Sequence, residues 1–403
     1  MLRLALRNVF RHRFRTAMTL AAIVFGVAGL ILSGGFVQDT YHALGEALIH
    51  SQTGHLQVSK PGFHGQGARS PEKYMVETPE LLKQKILQHE SVDDVLGRLR
   101  FSGLLSSGRS DLPVIGEGVE PDKEARLGSQ IHITRGRQLS AGDLRGIVVG
   151  QGLASSLNLR PGDQVTLLLN TAEGALNSMD FDVVGTFQSF SKEFDARAVR
   201  VPLAAAQELM GTNGANALVV SLKETSDTID VASLLKRELD SQQFEVKTWT
   251  ELNAFYENTV ALYERQFGVL QLIILVLVFL SVANSLNMSI FERVGEFGTM
   301  MAVGNASNQV QRLVLTESLL LGVVGAGLGT ISGIVMALAI SAIGIPMPPP
   351  PNANMGYTAH IRLVPSILLI GFCVGITATI LASILPARRV SRIPIVNALR
   401  QNY

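Results

Sequence analysis

The sequence predicts an α-helical membrane protein with four transmembrane helices plus a large α+β extracytoplasmic domain on helical stalks. Three observations carry that prediction. Four stretches are long, apolar and free of charged side chains, arginines crowd both termini, and the polar remainder forms one block of strand-like and helix-like runs.

The spans come first. A helix needs about 20 predominantly apolar residues to cross a hydrocarbon core roughly 30 Å thick. Ala17–Phe36, Gly268–Ile290, Ser318–Tyr357 and Leu363–Ala387 meet that length without Asp, Glu, Lys or Arg, the third with its helical part ending near Pro346. One charge at mid-membrane costs about 2.5–3.5 kcal/mol on insertion scales, so four clean runs are a strong signal. The first run is longer than the apolar core of a secretory signal, and residues 37–40 offer no small-x-small cleavage site. It is expected to be retained as an anchor.

Orientation follows from the arginines. Arg3, Arg7, Arg11, Arg13 and Arg15 precede the first span, and Arg388, Arg389, Arg392 and Arg400 follow the last, with no acidic residue among either group. Positive flanks stay inside, so both termini are expected in the cytoplasm of a cell whose inner membrane the chain crosses four times. The segment between spans two and three is then cytoplasmic by parity. All 9 lysines fall between Lys60 and Lys247, in the block placed outside, where that constraint does not apply.

The organisation reads as three parts: 1–50 as N-terminal segment, first span and stalk; 51–250 as the extracytoplasmic, periplasmic α+β domain; and 251–403 as second stalk and remaining spans. Strand-like runs are Leu56–Ser59, Ile147–Val149, Gln164–Leu169, Phe181–Phe187 and Ala198–Val201, with helical runs Leu81–His89, Leu203–Met210 and Ile229–Leu239. Gln38–Ser51 continues the first span as far as Gly54, and Glu251–Gln266 leads into the second. The single cysteine, Cys373, lies in the fourth span, so the domain holds no disulfide.

Most chemistry is excluded on the residues present. A net charge of +1 with no basic tract argues against a nucleic-acid partner. No lysine follows a glycine, so the phosphate loop G-x-x-x-x-G-K-[ST] is absent. Leu32-Ser33-Gly34-Gly35-Phe36 resembles an ATPase signature but sits within an apolar span, where small residues serve helix packing. His42, His50, His55 and His64 match no metal-ligand spacing. Neither catalytic nor metal residues are expected, and the chain needs no cofactor of its own.

The informative segment is 292–304, E-R-V-G-E-F-G-T-M-M-A-V-G. Val294, Phe297 and Met301 form an apolar stripe at helical spacing, Gly304 suits the position after a helix end, and Ser307 suits the cap of the next. A short amphipathic helix is expected, either lying on lipid or docking into a cytoplasmic partner; Glu292, Arg293 and Glu296 are not the lysine-rich face of a lipid binder, which favours the partner. Glu317 is expected near the inner interface. In the third span Gly325, Gly329 and Gly333 share one face, which permits close backbone contact either within this chain or with a second copy.

Glu292, Arg293, Glu296, Phe297, Gly298, Ala302 and Gly304, followed by Glu317-Ser318 and Gly322, Gly325 and Gly329, resemble the hallmark of MacB-type ABC permeases. That family includes macrolide exporters, lipoprotein-release permeases and FtsX-like cell-division proteins. The start (Ala5–Thr16) and end (Pro386–Arg400) are similar to the family's termini, and W-T-E-L-N at Trp249–Asn253 is most similar to the lipoprotein-release branch. Asn305 departs from the usual alanine.

The resemblance implies a MacB-type permease fold and a permease subunit that is not itself an enzyme. Its partners would be two copies of a cytoplasmic ABC ATPase subunit, a second permease subunit (identical or homologous), membrane lipid and a periplasmic protein. ATP and magnesium would sit on the ATPase. Phe297 and Met301 would enter a cleft of that subunit, with Glu292 and Glu296 positioning the helix. Movement of the periplasmic domains would export or extract a lipophilic or peptide-like substrate, lipoprotein included, at the outer leaflet. The alternative is an FtsX-like regulatory permease that controls an extracytoplasmic enzyme without transport. In lipoprotein release a protruding hairpin captures the carrier. Its counterpart here, 169–181, offers only Leu176 and Met179 as apolar anchors, and no carrier is expected to dock there.

Overall fold

The computed structural model describes residues 13–67, 71–128, 131–171, 173–349, 354, 356–391 and 394. Arg3, Arg7, Arg11, Arg392 and Arg400, used for the orientation argument, lie outside them. In chain order the principal elements are α1 (Arg13–Leu48), a π-helical turn (Ile49–Thr53), β1 (Leu56–Ser59), α2 (Pro79–Ile86), β2 (Val92–Ser106) and β3 (Asp111–Val119). Next come α3 (Pro121–Leu127), β4 (His132–Gly136), β5 (Gly146–Gly150), α4 (Gln151–Leu157), β6 (Gln164–Asn170), β7 (Leu176–Gln188) and β8 (Ala198–Pro202). Then follow α5 (Leu203–Met210), β9 (Ala217–Leu222), α6 (Thr228–Glu238), β10 (Glu245–Thr248), α7 (Ala254–Glu292), α8 (Val294–Ala302), α9 (Ser307–Ile343) and α10 (Pro365–Ser391).

The chain divides into a helical unit and an α+β unit, the latter comprising Ala43–Asn258 and Met347–Tyr357. In the α+β unit one strand serves two layers. The first half of β2 pairs with β9 in an open sheet of order β10-β1-β9-β2. Its second half pairs with β3 and β6, and the ladder β2-β3-β8-β5-β7-β6 returns to β2, closing a six-stranded barrel. Side chains alternate across a strand. Leu99, Phe101 and Leu105 of β2 therefore fill the barrel with Val165, Leu167, Phe181, Val199 and Val201, while Arg98 and Arg100 face outward. Gly116 makes room: a Cβ there would lie 1.9 Å from the Phe101 ring. The open sheet packs its own core, Leu56, Val58, Leu218 and Val220, under α2 and α6.

The strands read from sequence are present, longer in the case of β7, whose ladder begins at Leu176. The connection 169–181 is mostly strand, since Asn170 already pairs with Leu176. That corrects one expectation: Met179 is 7% exposed within the barrel core and offers no surface anchor, leaving Leu176, 73% exposed. α1 gives way at its end to the π turn, closed by Gly54 at φ +65°, whose N–H donates to Ile49 O. The roots of α1 and α7 meet over Trp249. A Cβ on Gly45 would lie 2.7 Å from the indole, and Tyr256 meets that ring edge-on at 4.6 Å.

In the helical unit α1, α7, α9 and α10 are each long and apolar enough to cross a membrane. Ile23, Val27 and Ile31 of α1 sit at its centre with Val282 and Leu286 of α7, Leu321 and Ala326 of α9, and Ala382 of α10. The glycine face of α9 is turned to α1 of the same chain. A Cβ on Gly325 would lie 2.9 Å from Ile23, one on Gly329 2.8 Å from Val27, and one on Gly333 3.2 Å from Ile31. Without these glycines the two backbones could not approach as closely.

Candidate functional site between the second and third long helices

α7 runs unbroken to Glu292, and Arg293 (φ −106°, ψ 9°) turns the chain into α8. The turn is held by the arginine itself. Its Nη1 and Nη2 donate to Oε2 and Oε1 of Glu317 in α9, at 2.7 and 3.3 Å. Nε donates to Oε2 of Glu296, one turn into α8, at 3.1 Å, and the guanidinium lies 5.0 Å over the Phe297 ring. Arg293 is 6% and Glu317 8% exposed. A forked guanidinium matched to a carboxylate fixes distance and angle together. α8 is thus pinned to α9 through Arg293, the residue that caps its start.

The stripe Val294–Phe297–Met301 exists at the expected spacing, but its direction corrects the expectation. Phe297 is fully buried among Ile290, Val294, Val310, Val314 and Ala387, with Met300 and Met301 packed at the edge. Phe297 is therefore packed inward against this chain's own helices, and Met301 is half-buried. Gly298 is buried as well. The reason is geometric: α8 folds back between α7 and α9, and their apolar surfaces cover its stripe. What the segment presents outward is Glu292 at the end of α7, Glu296, Thr299 and Ala302 of α8, and then 303–309, including Val303 at 81% exposure.

The far end of α8 closes as Gly304 predicts. Gly304 adopts φ +104°, its N–H donates to Met301 O, and the Asn305 N–H donates to Met300 O, each at 3.1 Å. This pair of bonds is the Schellman arrangement, which needs a residue tolerant of positive φ. Ser307, expected as the next cap, is instead the first residue of α9. Ala306 holds the cap position, and its N–H donates to Gln309 Oε1 at 3.2 Å. Sequence reading placed Glu317 near this region without its partner. The available signal was a lone carboxylate at the start of an apolar run, which demands a nearby cation.

Residues 16–238, more than half of the chain, match the family described as the MacB-like periplasmic core domain, and 268–395 match the FtsX-like permease C-terminal family. The chain is an ABC transporter permease of this family. Among relatives of the permease, an uncharacterised ABC transporter permease of Methanocaldococcus jannaschii is 24% identical over 69% of this chain and 68% of its own. The lipoprotein-releasing system transmembrane protein LolC of Xylella fastidiosa is 24% identical over 60% of each chain. The macrolide export ATP-binding/permease protein MacB of Rhodospirillum rubrum is 24% identical over 99% of this chain and 60% of its own. The permease thus spans about 60% of the length of the LolC and MacB relatives. The crystal structure of the periplasmic region of MacB from Actinobacillus actinomycetemcomitans aligns over 52% of this chain and 96% of its own, at 14% identity and a TM-score of 0.38.

Other residues singled out in sequence find structural places in the permease. His55 accepts the Leu222 N–H on Nδ1 at 3.1 Å, and burial pushes its pKa down to about 4. His50 faces Glu46 Oε2 at 3.3 Å and Leu127 O at 3.1 Å, and the Glu46 carboxylate raises its pKa. Burial beside Arg100 and Lys247 lowers His64 to about 3.

Proposed function

We propose that this permease converts ATP hydrolysis by separate ABC ATPase subunits into movement of its α+β domain, and so exports or extracts a lipophilic or peptide-like substrate. In this reading both termini and α8 face the cytoplasm of a cell with the chain in its inner membrane, and the α+β domain stands in the periplasm. Two ATPase copies, carrying ATP and magnesium, sit against α8.

The observation that carries the reading is the Arg293–Glu317 lock. A helix meant to receive a push must be rigidly tied to the membrane helices behind it and open in front. α8 is bonded to α9 through that pair and buries its apolar stripe, while Glu292, Glu296, Thr299 and 303–309 remain accessible. The docking surface is therefore the polar face and the Val303 corner. A second permease subunit, identical or homologous, suits α7: only 11% of its apolar stretch is buried within the chain, against 44% for α1. Lipid covers what the partner does not. The lipoprotein-releasing and macrolide-export relatives support a lipophilic cargo.

The test is reconstitution with each co-purifying ATP-binding chain. The permease alone is expected to hydrolyse no nucleotide. Glu296→Lys and Val303→Asp are expected to weaken assembly or uncouple hydrolysis while leaving membrane insertion intact. Hydrolysis by the permease alone, or full coupling in both variants, refutes the reading.

A further inference from the structure

The coupling reading requires displacement of α1 to reach the barrel, and the end of α1 is built into it by charge. The Ser51 carbonyl accepts from Nη2 of Arg200 at 3.1 Å, and the Gln52 carbonyl accepts from Nη1 of Arg98. Each arginine is held in turn by carboxylates. Arg98 Nη2 donates to both oxygens of Glu124, at 2.6 and 2.9 Å. Arg200 donates through Nε to Glu117 Oε2 and pairs through Nη1 with Glu124 Oε1, both at 3.1 Å. Arg100 Nε completes the set on Glu117 Oε1 at 3.1 Å.

The charges explain why the helix end belongs there. Three guanidinium groups pair with the carboxylates of Glu117 and Glu124, with buried Asp195 also acting on Arg200, and Arg98, Arg200, Glu117 and Glu124 are all 4% exposed or less. A helix presents roughly half a negative charge at its carbonyl end, falling off within the last turn. The carbonyls of 51–52, at the end of the helix, are the acceptors that two of these buried guanidinium groups use beyond their carboxylates. The sheet register spreads the contact: Arg100, Glu117 and Arg200 are direct cross-strand neighbours on β2, β3 and β8. Glu124 and the His50–Leu127 contact add α3. The gripped turn is π-helical, a form found mostly as single turns and frequently at functional sites.

We propose that Arg98 and Arg200 are positioning residues that grip the π-helical end of α1 and pass its displacement to β2, β3 and β8. This rests on the coupling reading above. The test is hydrogen–deuterium exchange on the permease–ATPase complex in lipid nanodiscs, with and without a non-hydrolysable ATP analogue. In the wild type, nucleotide is expected to change exchange at α8, at 49–54, and in β3 and β8. Arg200→Lys keeps one charge, but a single ammonium cannot hold Glu117, Glu124 and the Ser51 carbonyl together. It is expected to retain ATP hydrolysis within about twofold and the response at α8, yet lose the response in β3 and β8. Arg100→Lys, in the same network but without contact to 51–52, is expected to respond as the wild type does. A wild-type response in β3 and β8 for Arg200→Lys overturns the inference. So does a wild-type response there unaccompanied by change at 49–54, a result that needs no variant to fold. Absence of any response at α8 in the wild type refutes the coupling reading itself, and the inference with it.

Discussion

Removing the Glu317 carboxylate is the sharpest test of the lock between α8 and α9. In Glu317→Ala the Arg293 guanidinium stays in its niche, its side chain 8% exposed, with Glu296 still paired to it. Deleting one partner of a buried pair costs about 3–5 kcal/mol, because the other charge is left desolvated. The Glu296 side chain is 42% exposed, so its contact restores no more than about 1 kcal/mol. The balance is a loss of roughly 3 kcal/mol, equivalent to about a hundredfold in the folded population. The companion variant Arg293→Met/Glu317→Met removes both charges and keeps the volume, and such replacements are neutral or stabilising. Thermal unfolding of the detergent-solubilised permease, followed by size-exclusion chromatography, is expected to show a large drop for the single variant and recovery in the double. ATP hydrolysis by the assembled complex is expected to uncouple in both, since neither retains the fork. A single variant as stable as the wild type, or a double no better than the single, would refute the reasoning.

Other outcomes follow from the same geometry. Gly329→Leu places a side chain where a Cβ alone already meets Val27 at 2.8 Å, so overpacking of about 1–3 kcal/mol or more is expected, read as a lowered melting temperature; a neutral effect would show that α1 and α9 are looser than described. His55 titrates near 4 in the folded chain against 6.5 unfolded, so its contribution is complete above pH 6.5 and lost as pH falls toward 4, by up to about 3 kcal/mol. His55→Gln is expected to flatten the acid limb of the stability profile. His50 is shifted upward, so its contribution is present below pH 6.5 and lost as pH rises through its raised value; His50→Gln should remove that alkaline slope. A photocrosslinker at Leu176 is expected to capture no soluble lipoprotein carrier, and capture of one would overturn that expectation.

The helical unit was legible because uncharged length is a one-dimensional property. The α+β unit was legible only in part. β1, β5, β6, β8 and α5 carry clear apolar runs, whereas β2 carries Asp93, Asp94, Arg98 and Arg100, and reads as surface until its partners are known. Arg98 and Arg100 are tolerated in a buried strand because Glu117 and Glu124 lie across from them, a pairing that exists only in three dimensions. β9, A-L-V-V-S-L, lacks alternation because both of its faces are covered. The site shows the same limit. Spacing revealed that α8 has an apolar stripe but not what would cover it, and the covering surface proved to be the chain's own α7, α9 and α10.

The packing of Trp249 has a practical consequence. It is the sole tryptophan in the sequence, so intrinsic emission excited at the red edge comes from one place. That place is where Gly45 near the end of α1 and Tyr256 near the start of α7 close on the indole from two sides. Any parting of these two roots admits water to a ring now 9% exposed and moves its emission to longer wavelength. The permease therefore carries an unmodified optical gauge within its α+β unit, one that a stopped-flow instrument can follow without a single labelled site.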